Sequence, residues 1–269
     1  MKQEDKNDIN LSRWKEYDDL KTDSLWLIKK RDNSGAHNNG YHGNFVPQIP
    51  RQLIKRFTKK GEVVLDPFLG SGTTLIESQQ MNRNGIGIEI SQEVTNTARN
   101  NLNSSFEKKG VFTKIITEDS KNRRASKKVR KILEKNKKQS IQLMIMHPPY
   151  HDIIKFSNKK NDLSNCDTVE GFLSDFEKVV DNFFKLLDAK RHLAIVIGDK
   201  YANSEWVPLG FLLMNLVNEN FDVTLKSIIV KNMEGNRGKK NQQALWRYRA
   251  LKGGFYVFKH EYILLFEKN

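Results

Sequence analysis

A glycine-bearing turn between a strand and a helix constrains this chain more than any other stretch. Asp66-Pro67-Phe68-Leu69-Gly70-Ser71-Gly72-Thr73-Thr74 follows the apolar run Val63-Val64-Leu65 and opens a helix-like segment. In such a turn backbone N–H groups can approach a bound ligand closely, and the helix N-terminus behind it favours negative charge, such as a carboxylate. Two acids stand at later strand ends. Gly85-Ile86-Gly87-Ile88-Glu89-Ile90 is a short apolar strand closed by Glu89, and Lys114-Ile115-Ile116-Thr117-Glu118-Asp119 closes on Asp119. An acid at the end of the second strand of such a unit is placed to hydrogen-bond ribose hydroxyls. The turn lacks both the Gly-x-Gly-x-x-Gly dinucleotide fingerprint and the Gly-Lys-[Ser/Thr] ending of a phosphate-binding loop. A glycine turn that merely packs a helix on a sheet is the plain alternative, and the two acids weigh against it.

A second motif, His147-Pro148-Pro149-Tyr150, follows the apolar run Leu143-Met144-Ile145-Met146. The pair, in this order, resembles the DNA amino-methyltransferases, which modify adenine N6 or cytosine N4. The first motif is similar to their S-adenosylmethionine loop, and the second to their catalytic tetrapeptide, Asp/Asn/Ser-Pro-Pro-Tyr/Phe. Phe45-Val46-Pro47-Gln48-Ile49-Pro50-Arg51-Gln52-Leu53-Ile54 resembles the segment those enzymes place beside the cofactor methionine. The resemblance covers roughly residues 42 to 269, and the motif order matches the arrangement called gamma. The chain is much shorter than typical gamma members and shows no separate recognition domain. The resemblance implies cofactor contacts from Phe45, Asp66, Pro67, Phe68, Gly70, Gly72, Thr73, Glu89 and Asp119. Glu89 would hold the ribose and Asp119 the adenine amino group.

The chemistry gives these residues a purpose. An exocyclic amine is a poor nucleophile because its lone pair is delocalised into the ring. Acceptors for its hydrogens encourage a more tetrahedral nitrogen. In the family, the first side chain of the tetrapeptide and the carbonyl of the first proline accept them, while the aromatic ring stacks on a flipped base. Consecutive prolines fix φ and supply no N–H, which holds that carbonyl rigidly. The resemblance therefore assigns catalysis to His147, Pro148, Pro149 and Tyr150. His147 departs from the family pattern: a neutral imidazole offers one acceptor nitrogen and a protonated one offers none, so activity should require neutral His147. A degenerate, inactive site is the competing reading.

Composition sets the surroundings. At 269 residues the chain is long enough for one α/β domain with a sizeable core. Its single cysteine, Cys166, sits in a polar stretch outside any Pro-Cys context. That excludes a disulfide framework and argues against cytosine C5 methylation, which needs a cysteine nucleophile. The first residues are charged and carry no apolar leader, and no apolar run approaches membrane-span length, so an intracellular (prokaryotic or phage) protein is expected. Net charge is +14. Ten basic residues against one acid lie between Lys121 and Lys138, with Val129, Ile132 and Leu133 as a modest apolar stripe. A second basic stretch, Lys231 to Lys259, interleaves glycines and aromatics around Asn236-Arg237-Gly238-Lys239-Lys240-Asn241 and Trp246-Arg247-Tyr248-Arg249. It suits a loop that touches phosphates and bases. Solvated faces, and core packing for Trp246 and Tyr256, are the bland alternatives.

Strands expected at about 62–66, 85–90, 113–117, 142–146, 192–198, 223–230 and 259–266 alternate with helices near 73–82, 91–108, 168–188 and 208–219, after a cofactor-flanking segment from Gly40 with a helix from about Pro50. This implies an α/β fold with a mostly parallel sheet covered on both faces. With the resemblance, it becomes a Rossmann-like class I methyltransferase with seven strands and a C-terminal antiparallel hairpin. Residues 1–40 read as a polar, partly disordered extension in which Trp14 and Trp26 anchor short elements, and 41–269 as one methyltransferase domain with basic DNA-contacting insertions near 121–138 and 231–256. Asp199 is a second-tier site candidate or a loop cap. Three functions stay open: a site-specific DNA amino-methyltransferase with double-stranded DNA and a cognate restriction endonuclease or subunit as partners, a guanine-N2-type RNA methyltransferase, and a silent nucleic-acid-binding subunit.

Overall fold

The computed structural model describes residues 6–34, 36–37, 43–103, 110–233 and 243–269. Gly40, the Asn236–Asn241 run and the end of the helix expected over 91–108 lie outside the described residues. The main sheet has eight strands: β1 (Leu25–Trp26), β2 (Val63–Asp66), β3 (Asn84–Glu89), β4 (Thr113–Thr117), β5 (Ile141–Met146), β6 (Leu187–Ile197), β9 (Val223–Asn232) and β10 (His260–Lys268). Their spatial order is β1-β9-β10-β6-β5-β2-β3-β4. The expected α/β fold and terminal hairpin are present, but the sheet has eight strands rather than seven because β1 adds to β9: β4, β3, β2, β5 and β6 run parallel, and β10 lies antiparallel between β6 and β9. Strands β7 (Lys200–Ala202) and β8 (Glu205–Val207) form a separate small ribbon.

The central strands are apolar at nearly every position because both faces are covered. Alternate side chains leave opposite faces. Val63, Leu65, Met144, Met146, Leu193, Ile195, Leu264 and Phe266 enter one core layer, whose other wall is Phe172, Phe176 and Phe183 of α5 (Val169–Phe184), Leu213 of α6 (Leu209–Asn220) and Val129 of α4 (Arg123–Lys135). Val64, Leu143, Ile145, Ala194, Val196, Ile263 and Leu265 enter the other, beneath Ile49, Leu53, Ile54 and Phe57 of α1 (Gln48–Phe57). Helices α2 (Thr73–Gln80) and α3 (Gln92–Asn103) add a third cluster through Leu75, Ile76, Ala98 and Leu102. None of the described helices is long and apolar enough to cross a membrane.

Several expectations need correction. The basic stretch from Lys121 forms one of the helices of the domain. Its core is α4, the crossover between β4 and β5, which buries Ala125, Val129 and Leu133 and exposes its cations. Part of the second basic stretch is helix α7 (Gln243–Gly253) rather than loop. Tyr256 is exposed, which excludes it from the core. The N-terminal segment is packed on the domain: Asn7 Nδ2 donates to the Arg56 carbonyl at 2.9 Å, Asp8 pairs with Arg83 at 2.7 Å and Lys6 with Glu267. Trp26 is buried in β1, which pairs with β9, and its indole N–H donates to the Asp23 carbonyl at 2.9 Å. Trp14, by contrast, is exposed and anchors nothing in the core. Trp26→Ala should therefore destabilise the whole domain by about 3–5 kcal/mol, the range for deleting a buried indole. Denaturant unfolding that showed a loss below about 1 kcal/mol, the level of an ordinary surface change, would mean the segment is not part of the cooperative unit.

Candidate functional site

The carboxyl ends of the parallel strands all open on one edge of the sheet. There a cavity of about 550 Å³ is lined by residues from both motifs, within the size range of small-molecule sites. At one end lie Pro67, Phe68 and Gly70 after β2, Glu89 at the end of β3, and Asp119 and Ser120 after β4. At the other lie His147, Pro148, Pro149 and Tyr150 after β5. Phe45, which precedes α1, joins the two ends: its ring centroid is 4.8 Å from that of His147. Asp66, Gly72 and Thr73, expected to touch the cofactor, do not line the cavity; they shape the loop from behind.

The reasons are local. Asp66 is buried, and its Oδ1 accepts from the Phe68 N–H at 2.9 Å, which turns the chain out of β2. Burial pushes the carboxyl up to about 7, against the opposing pull of the Thr74 hydroxyl and the Phe68 N–H. Gly70 and Gly72 have φ of 55° and 96°, left-handed values that suit glycine. A Cβ on Gly72 would also stand 3.4 Å from that of Ala98, so this position packs α2 on α3. Thr73 is the buried first residue of α2. Glu89 ties the loop to β3: Oε2 accepts from Gly70 N–H at 3.1 Å and Oε1 from Ser91 N–H at 2.9 Å. Burial raises its pKa, partly opposed by these two hydrogen bonds. Asp119 accepts from Lys121 N–H at 2.9 Å and from Asn161 Nδ2 at 2.7 Å. Glu89 and Asp119 thus keep unused lone pairs, since a carboxylate can take about four donors.

The tetrapeptide end holds residues that sequence reasoning missed. Tyr150 Oη donates to Glu261 Oε2 at 2.7 Å and lies 3.2 Å from His147 Nε2. Glu261 and Lys231 face each other on β10 and β9 and form a buried ion pair at 2.9 Å. Lys231, expected to contact phosphate, is buried in this ion pair and lines the cavity. The strand pattern carried a signal for Glu261: an acid on the same face as Ile263 and Leu265, where the core should continue. The Tyr150 ring lies over Gly198 at the end of β6, where a Cβ would come within 2.7 Å of it. Burial lowers the His147 pKa to about 4, with Glu261 opposing and Lys231 reinforcing the shift. Burial and the neighbouring Glu261 raise Tyr150 well above the usual phenol value. Burial pushes Glu261 up, but Lys231, His147 and its hydrogen bonds outweigh this and leave it below the ordinary value. Asp199 serves as the cap: it accepts from Gly210 N–H at 3.0 Å at the start of α6 and from Trp206 Nε1 at 2.9 Å.

With this geometry in view, the comparisons are consistent. The profile of the N6/N4 methyltransferase family, described as DNA methylase, matches residues 1–100 and 141–269. The chain belongs to that family. The match passes over residues 101–140, the stretch that includes α4. The chain is 41% identical over 81 residues to the Type II methyltransferase M.HindIII of Haemophilus influenzae, which is 29% of this chain and 25% of that protein. To M.BglI of Bacillus subtilis it is 30% identical over 102 residues, 38% and 27% of the two chains. To M.MjaII of Methanocaldococcus jannaschii it is 47% identical over 51 residues, 19% and 10%. The aligned stretches thus span about a quarter or less of these relatives. The crystal structure of TrmN from Thermus thermophilus shares the fold, with a TM-score of 0.52 at 14% identity over 85% of this chain and 50% of that one.

Asp66 makes stability depend on pH. The folded protein holds its proton up to about pH 7, whereas an unfolded chain releases it near pH 3.9. Its contribution is therefore fully present below pH 3.9 and lost as pH rises through 7. Glu89, whose pKa is also raised, acts in the same direction. Asp66→Asn, which mimics the neutral acid, should make the fall in melting temperature between about pH 5 and pH 8 shallower. An unchanged slope in thermal unfolding of the ligand-free protein would contradict the assignment.

Proposed function

We propose that this chain transfers a methyl group from S-adenosylmethionine to an exocyclic amino group, adenine N6 or cytosine N4, of a base held out of duplex DNA. The observation that carries this reading is the shared cavity, in which the strand-end acids and the Pro-Pro-Tyr segment meet across Phe45. The residues fit the cofactor. Glu89 and Asp119 have lone pairs for ribose hydroxyls and an adenine amine, and Phe68, Ile88, Ile90 and Leu163 offer apolar wall beside them. When bound, S-adenosylmethionine supplies a methyl group activated by a positively charged sulfur. The remaining work falls to the chain. His147 and the Pro148 carbonyl accept from the amine hydrogens, which directs the nitrogen lone pair away from the base ring. Tyr150, its phenol kept neutral and its ring backed by Gly198, offers a face for the flipped base. Catalysis is then chiefly positioning. Exposed Arg247, Arg249 and Lys252 on α7, with Arg249 over the Trp246 ring, are the phosphate contacts proposed for DNA. A restriction endonuclease partner and an intracellular setting accord with the Type II names of the relatives.

Three measurements test the proposal. Gly70→Val puts a branched side chain at a left-handed position on the cavity wall, so calorimetry should show S-adenosylmethionine binding lost while far-ultraviolet circular dichroism is retained. Unchanged affinity would remove the loop from the cofactor site. Neutralising Arg247, Arg249 and Lys252 together should flatten the slope of log affinity against log salt by about 2 to 3, at roughly 0.9 per phosphate contact. An unchanged slope would make α7 a solvated helix. His147 lies beside Tyr150, Glu261 and Lys231 and should remain neutral at all ordinary pH values, since its pKa is about 4. The single-turnover rate should therefore show no titration near pH 6.5, the value for an unperturbed histidine, and fall only towards pH 4. A tenfold loss centred near pH 6.5 would contradict the neutral imidazole.

A further inference from the structure

The proposed acceptor, His147, has two ring nitrogens, and a neutral imidazole can accept through only one of them. Which one is free follows from proton counting along the row of side chains that ends at Lys231. Lys231 Nζ lies 2.9 Å from Glu261 Oε1. Glu261, buried and ion-paired, is ionised and can only accept. Its Oε2 lies 2.7 Å from Tyr150 Oη, so the single phenolic proton points there. What Tyr150 Oη turns towards His147 Nε2, at 3.2 Å, is a lone pair. Two lone pairs cannot form that contact, so Nε2 carries the hydrogen and Nδ1 does not. Among the described residues Nδ1 has no hydrogen-bond partner, and the ring lines the cavity.

We infer that Glu261, ion-paired with Lys231 and acting through the Tyr150 hydroxyl, fixes His147 in its Nε2–H tautomer and presents Nδ1 as the acceptor for the substrate amine. The inference rests on the reading of His147 as acceptor. In it Glu261, which also lines the cavity, is a positioning residue because it acts on His147 through the Tyr150 hydroxyl. It gives the Tyr150 hydroxyl a role apart from ring stacking, and it accounts for a buried ion pair at the rim of a site for an uncharged base. A carboxylate in place of His147 would need no such control, because both of its oxygens accept.

The test is nitrogen NMR on protein carrying labelled histidine, joined to a double-mutant cycle. Glu261→Gln strands Lys231 and can lose the fold. Tyr150→Phe keeps the ion pair, the packing on Gly198 and the stacking face, and removes only the hydroxyl. In the unaltered protein the His147 signals should be pyrrole-like at Nε2 and pyridine-like at Nδ1. In Tyr150→Phe they should move to the averaged positions of exchanging tautomers. Tyr150→Phe should slow single-turnover methylation about fivefold with His147 present and less than about twofold in the His147→Asp background, an interaction of the size found for directly coupled residues. A pyrrole-like Nδ1 in the unaltered protein, a single unchanged tautomer in Tyr150→Phe, or equal slowing in both backgrounds would overturn the inference. Failure of the acceptor reading would look different: His147→Ala would methylate at the unaltered rate, whatever tautomer the NMR reports.

Discussion

The cross-strand ion pair between Lys231 and Glu261 is the contact on which the tetrapeptide end of the site depends. It forms because β10 runs antiparallel to both neighbours, so its first residues and the last residues of β9 reach the edge where the parallel strands end. A buried ion pair is poor evidence for stability, since its desolvation cost can exceed the attraction, whereas removing one partner typically costs about 3–5 kcal/mol. Its value here is geometric. Glu261 holds the Tyr150 hydroxyl, Tyr150 lies on Gly198, and the tetrapeptide is thereby fixed against the end of β6. Rigid elements on three strands thus set the orientation of one histidine and one tyrosine.

The two ends of the cavity use burial differently. At the cofactor end, desolvation raises the Asp66 and Glu89 carboxyls, and hydrogen bonds from the Thr74 hydroxyl and from backbone N–H groups offset part of that shift. The same hydrogen bonds, Phe68 N–H to Asp66 and Gly70 N–H to Glu89, hold the turn open. At the substrate end, desolvation drives the His147 pKa down, so the imidazole stays neutral and keeps an acceptor. One physical cause gives two results because the charged form is an anion at one end and a cation at the other. The histidine that stands at the first position of the tetrapeptide therefore lies in surroundings that keep it neutral.

Much of this was legible in the sequence. The apolar runs before Asp66, Glu89 and His147 gave β2, β3 and β5 nearly to the residue, because strands buried on both faces leave an unbroken apolar signature. The loop and tetrapeptide were found for the same reason: each follows directly on such a run. What was not legible depends on distant pairing. Trp26 lies in a two-residue strand, too short for any periodicity, and its place is set by β9, more than two hundred positions later. Glu261 and Lys231 show their roles only once the hairpin register is known. Asp66, Gly72 and Thr73 stand inside a motif that marks a ligand loop, yet they are buried and do not line the cavity, and spacing alone does not show which loop residues line it. The α7 residues lack an apolar stripe, so nothing local distinguished helix from loop there.

The central claim is that this site methylates an exocyclic amine with His147 as an acceptor. The most direct test is a single-turnover reaction with labelled S-adenosylmethionine and duplex DNA, followed by digestion and identification of the labelled nucleoside, for the unaltered protein and for His147→Ala with its cofactor affinity checked by calorimetry. The account predicts N6-methyladenine or N4-methylcytosine from the unaltered protein, and loss of most of that product in His147→Ala at undiminished cofactor affinity. Label on a ring carbon, label on tRNA but not on DNA, or an unaltered rate in His147→Ala would contradict it.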